Sequence, residues 1–160
     1  MTRQYRITAA LVLMLASLAL TPPAIARPID CKQVTPDVIK DRFTIWNNAL
    51  KDETARSVVA LYDKEATLLP TLENGPYKKG KGLEAYFQTF VLKKPVATII
   101  ESTRTIVIGC NVAYDIGLYD FTFKPGIDPA KARYTFVYKW DRSANHWLID
   151  HHHSSQLPQP

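Results

Sequence analysis

The side chains best suited to chemistry gather in one run, WLIDHHHSS, residues 147–155. Imidazole titrates near neutrality, shuttles protons and ligates metals. Alternate side chains of an extended strand share a face, so His151 and His153 would lie with Trp147 and Ile149, and His152 with Leu148, Asp150 and Ser154. Three adjacent histidines therefore cannot converge on one ion. His151 and His153 together could supply two ligands, but nothing in the sequence designates a third, and no metal site is expected. On the other face Asp150 and His152 are candidate catalytic residues, a carboxylate able to orient an imidazole or share acid–base work with it. Two residues apart on one strand face, they stand about 7 Å apart at Cα and need compatible rotamers. The plainer alternative is that they satisfy each other and neighbouring hydroxyls.

The elements that must hold these residues follow from periodicity. Thr35 and Pro36 suit the cap and first position of a helix, and Ile39, Phe43, Trp46 and Leu50 then recur on one face. A second, shorter helix is predicted over Thr54 to Tyr62 with Val58, Leu61 and Tyr62 inward. After the turn-rich ENGPYKKGKG, Leu83, Tyr86, Phe87, Phe90 and Val91 form a third apolar stripe ending at Lys93, Lys94 and Pro95. From Val96 onward the period becomes two. VATIIESTRTIVI, VAYDIGLYDFTF, ARYTFVYKWD and HWLIDHHHSS read as consecutive antiparallel strands, the first pair joined by GCN. The fold class is α+β, three helices packed on a curved antiparallel sheet. Within YTFVYKW, Phe136, Tyr138 and Trp140 take one side and Thr135 and Val137 the other. The side bearing Thr135, Val137, His151 and His153 is too β-branched and histidine-rich for an ordinary solvent face, and an interface between copies explains it better.

The N-terminus carries an address. Arg3 and Arg6 precede an apolar run from Ile7 to Leu20, then Pro22, Pro23 and the small residues Ala24 and Ala26. This is the pattern of a secretory signal peptide, residues 1–26, too short for a membrane span. The expected product begins at Arg27, is periplasmic or secreted, and has no membrane association. Its 134 residues suit one domain, and its formal charge falls from +5 to +3, too small and scattered for nucleic-acid binding. Only Cys31 and Cys110 occur, and an oxidising compartment favours a disulfide between them. Such a bond would contribute about 4 kcal/mol by closing a long loop of the unfolded chain.

With WNNALKDETARSVVALYDKEATLLP, AYF in the third helix and W-x-x-x-H-x-H-x-S (Trp147, His151, His153, Ser155) in view, the chain resembles the nuclear transport factor 2-like superfamily of cone folds, which includes ketosteroid isomerases and SnoaL-like cyclases. The likeness is greatest to the association (hub) domain of calcium/calmodulin-dependent protein kinase II and its stand-alone bacterial relatives. It implies a cone domain over residues 36–155, preceded by an arm, 27–35, and followed by a disordered tail, 156–160. It also implies self-association, as a homodimer or larger ring. Calmodulin binding is not implied, and without a kinase module or nucleotide loop no cofactor is expected. Asp150, His152 and Ser154 would face the cone cavity with Trp46, Tyr119 and Phe136, while Thr135, Val137, Trp147, His151 and His153 would form the interface. Three arginines of the hub cavity would fall on Tyr119, Phe136 and Ser154, implying a neutral, aromatic cavity. The oxyanion tyrosine and aspartate base of the isomerases would fall on Trp46 and Pro70, which cannot perform that reaction. The functional expectation is an exported, self-associating module able to hold a small, partly apolar molecule. The alternative is an isomerase, cyclase or hydrolase using Asp150 and His152.

Overall fold

The computed structural model describes residues 30–52, 54–71 and 73–158. The expected signal peptide, residues 1–26, lies outside the described residues. Helix α1 spans Pro36–Ala49, with Pro36 at its first turn, Asp37 near its positive end, and Ile39, Phe43 and Trp46 buried along one face. Asn47 fixes this helix to the sheet through paired bonds, its amide donating to Ala97 O at 2.8 Å and its carbonyl accepting from Ala97 N at 2.9 Å. Helix α2 is only Ala55–Val59, shorter than expected. Tyr62 instead opens strand β1, Tyr62–Leu69, because the chain there is drawn into pairing with the last strand. A two-residue strand β2, Tyr77–Lys78, lies in the turn-rich segment before α3, Lys81–Val91, which buries Leu83, Phe87 and Val91.

The predicted strand over residues 96–108 is two. A single turn of 3-10 helix at Glu101–Thr103 separates β3, Val96–Ile99, from β4, Thr105–Ile108. The break is held from both sides. Thr103 Oγ1 donates to Ile100 O at 2.8 Å and accepts from Leu118 N at 2.9 Å. Both pieces pair with β5, Val112–Thr122, which is followed by β6, Ala130–Asp141, and β7, His146–Gln156. Strand β7 runs one residue past the expected domain end, and Leu157 N still bonds to Lys131 O. The sheet order is β2-β1-β7-β6-β5-β3, with β4 also on β5. All neighbours are antiparallel except β1 and β7, which run parallel. Cys31 and Cys110 form the expected disulfide, tying the N-terminal arm to the β4–β5 hairpin tip.

The core is aromatic, built where α1 and α3 meet the inner rows of β5, β6 and β7. A charged cluster lies inside it. The Arg104 guanidinium grips Asp115 with two bonds, Nη2 to Oδ2 at 2.7 Å and Nε to Oδ1 at 3.1 Å, and Tyr134 Oη donates to Oδ1 at 3.0 Å. The Asp115 side chain is fully buried. Burial opposes the arginine's charge, but the Asp115 carboxylate outweighs it and the Arg104 pKa is raised. Gly117 gives the cluster room, since a Cβ there would stand a tight 3.1 Å from Tyr134 Oη and 3.2 Å from Thr103 O. Removing one member of a buried ion pair leaves the other charge uncompensated. Asp115→Ala should therefore cost about 3–5 kcal/mol, and Tyr134→Phe, which deletes one hydrogen bond, about 1 kcal/mol. Urea denaturation of the two variants checks that order.

Candidate functional site

Strand β7 does not keep a constant alternation. Against β6 its register shifts between Val137, opposite His151, and Tyr138, opposite Ile149, so Asp150 is the extra residue of a bulge. The bulge changes which residues share a face. Ile149, His152 and Ser154 are all buried, whereas Asp150 and His151 are half-buried and His153 is exposed.

His152 is therefore enclosed among aromatic rings. It stacks on Phe136 with centroids 4.0 Å apart and planes 19° apart, and meets Trp46 edge-on at 5.3 Å. Trp46 Nε1 donates to Tyr62 Oη at 3.1 Å, and Tyr62 Oη lies 2.9 Å from His152 Nδ1. The indole can only donate, so Tyr62 accepts from Trp46. The arrangement that gives the phenol proton a partner directs it to Nδ1 and leaves the imidazole proton on Nε2. That Nε2 is buried and has no hydrogen-bond partner among the described residues. Burial, reinforced by neighbouring His151 and His153, pushes the His152 pKa down to about 3. The ring is neutral at any physiological pH. Beside it a hydroxyl chain runs from Tyr119 Oη, which donates to Ser154 Oγ at 2.6 Å, to Thr71 Oγ1, in contact with Ser154 Oγ. Burial raises the pKa values of Tyr62 and Tyr119, so both phenols stay protonated.

Trp46, Thr71, Tyr119, His152 and Ser154 line a gap of about 10 Å³, which holds a single water-sized group. Thr71, Tyr86, Phe90 and Phe121 border both this gap and a wider cavity of about 180 Å³, which Phe123 also lines and where Glu73 and Lys93 supply charges of opposite sign. A larger groove of about 780 Å³ lies outside the cone, between α2 and α3, lined by Arg56, Lys79, Glu84 and Gln88.

Of the residues expected at the cavity, Trp46, Tyr119, Phe136, His152 and Ser154 are brought together. Asp150 is not. The bulge turns it to the flank, where Lys139 Nζ lies 3.9 Å from its carboxylate and 3.8 Å from that of Asp63. The expected Asp150–His152 acid–base pair is thus taken apart. Pro70, buried directly after β1, adds no acid or base. Thr135, Val137, His151 and His153 share the outer face, but Trp147, expected beside them, is 4% exposed and packs on Trp140 at 5.7 Å, on the far side of the bulge. Tyr62 and Thr71 were not legible as site residues. Tyr62 reaches His152 across 90 positions of sequence and Thr71 reaches Ser154 across 83, through parallel pairing that has no local signature.

Helices covering one face of a bent, open sheet define the cone of nuclear transport factor 2-like proteins. A superfamily member from Salmonella enterica serovar Typhimurium LT2 matches the structure with a TM-score of 0.64 at 15% identity, over 76% of this chain and 89% of that one. A ketosteroid isomerase-like protein from Erwinia carotovora atroseptica does so at 0.62 and 14%, over 77% and 96%. At such identities only the fold is shared. A model of the calcium/calmodulin dependent protein kinase II association domain matches residues 37–158, and the chain belongs to that family. A Xanthomonas campestris protein assigned to the same association domain is 34% identical over 84% of this chain and 99% of that one, with a TM-score of 0.71. No curated protein matches the chain.

The His152 pKa lies below its ordinary 6.5, so folding expels a proton. The stability this group contributes is complete above about pH 6.5 and is lost as the pH falls toward 3. Relative to His152→Gln, the wild-type protein should lose about 2 kcal/mol of unfolding free energy between pH 7 and 5. Paired denaturant titrations at the two pH values measure it.

Proposed function

We propose that the protein is an exported module that assembles with copies of itself through the outer face of its sheet. One observation carries this reading. Cross-strand pairing aligns Val107, Tyr114, Val137 and His151 in one row and Thr105, Ile116, Thr135 and His153 in the next. Val107, Tyr114 and Ile116 are 49%, 37% and 38% exposed, a contiguous apolar surface on the side of the sheet away from the helices. A second copy of the same face is its natural cover, because a two-fold axis sets each β-branched row against its equivalent. Membership of the association-domain family supports self-association. Export is supported by the Arg3–Ala26 leader pattern and by the Cys31–Cys110 disulfide, which suits an oxidising compartment. The aromatic walls of the cone's mouth support a further role, holding a small, partly apolar guest.

Native mass spectrometry of residues 27–160 tests the assembly. A mass of two or more subunits is expected, and Ile116→Asp or Val137→Asp should reduce it to one with unchanged circular dichroism. A one-subunit mass at every concentration contradicts the proposal.

A further inference from the structure

We propose that the guest of the cone is an uncharged, single-ring molecule bearing one carbonyl-type acceptor, with the acceptor oxygen bound by His152 Nε2–H and the Thr71 hydroxyl. This rests on the guest-holding part of the proposed function and specifies its chemistry.

The unmet donor comes first. His152 is 3% exposed, its Nδ1 is committed to Tyr62, and its Nε2 has no partner among the described residues. A buried N–H left unmatched costs about 1–3 kcal/mol, so an acceptor delivered to it is rewarded. The hydroxyl chain supplies a second donor. Tyr119 donates to Ser154, whose own hydroxyl touches that of Thr71. With Ser154 as donor in that contact, the Thr71 proton is left for the space that Thr71 borders. Two donors match the two lone pairs of one carbonyl oxygen.

Volume fixes the shape. A gap of about 10 Å³ admits one oxygen and nothing larger, while the adjoining cavity of about 180 Å³ takes a ring but falls short of the space that drug-sized ligands occupy. Its walls suit a flat ring, since Tyr86 and Phe90 stack 15° apart and Phe121 and Phe123 also 15° apart. Charge excludes anions. Among the described residues no cation lines the gap, and at the mouth Lys93 is offset by Glu73. A carboxylate would lose its hydration without a counter-charge.

Three probes of similar size separate these elements: acetophenone, ethylbenzene and benzoate, titrated by calorimetry into the disulfide-bonded protein of residues 27–160. Acetophenone should bind about tenfold or more tightly than ethylbenzene, the difference one well-placed buried hydrogen bond makes, and benzoate should bind more weakly than either. His152→Phe keeps the stacked ring and should abolish the preference for acetophenone. Thr71→Val should reduce it, and serves should His152→Phe fail to fold. The proposal is overturned if benzoate binds as well as acetophenone, if the ketone has no advantage over ethylbenzene, if neither variant alters that advantage, or if no probe binds at millimolar concentration. Subunit mass recorded on the same samples keeps the two readings apart. An intact assembly that ignores all three probes sinks only the guest.

Discussion

One extra residue in β7 governs the molecule. Without the Asp150 bulge, period-two alternation would turn His152 and Ser154 away from the face that Trp147 and Ile149 use. With it, Ile149 packs opposite Tyr138 and His152 opposite Phe136, both toward the helices. His151 and His153 are sent outward in the same stroke. A register slip of this kind is well specified only where one face is buried, and here the inner face carries the largest rings of the core. β7 is also central, with β6 on one edge and β1 on the other, and the β1 pairing is irregular at the same level, between Tyr62 opposite Ile149 and Thr67 opposite His151. Both neighbours accommodate the bulge.

An aromatic interior that includes polar atoms is stable only where those atoms find partners. Asp115 has three bonds, from Arg104 and Tyr134, and Tyr62 bridges Trp46 and His152. Among the described residues His152 Nε2, at the end of the aromatic mouth, departs from this rule, as Tyr138 Oη, Arg42 Nε and Asp120 Oδ1 do elsewhere. The position of His152 joins the two roles argued for the chain, because the strand that carries the unmet donor inward carries the β-branched, histidine-bearing face outward. Assembly and guest binding therefore share β7 as a common support.

Much of this was legible in the sequence. The spacing of Ile39, Phe43, Trp46 and Leu50 located α1 and its inner face, the alternation of Phe136 and Tyr138 with Thr135 and Val137 oriented β6, and two cysteines identified the disulfide. What escaped was non-local. A bulge has no composition, so strict alternation put Asp150 beside His152 and Trp147 beside His151. The Glu101–Thr103 break was hidden in a β-branched run, since its cause is Leu118 reaching back to Thr103. Tyr62 read as the last residue of a helix because its partners lie on β7 and α1, far along the chain. The Arg104–Asp115 pair likewise joins residues whose types gave no sign that they would be buried together.

The state of the His152 ring tests the central claim most directly. Nitrogen-15 NMR of the histidine side chains across pH 4 to 8 reports protonation and tautomer separately. A bulge that delivers His152 to the core requires a neutral ring throughout that range, and a phenol proton directed from Tyr62 to Nδ1 puts the ring's own proton on Nε2. A His152 ring that titrates near its ordinary 6.5 would contradict the buried placement, and one that carries its proton on Nδ1 would contradict the bond from Tyr62 and the unmet donor at Nε2.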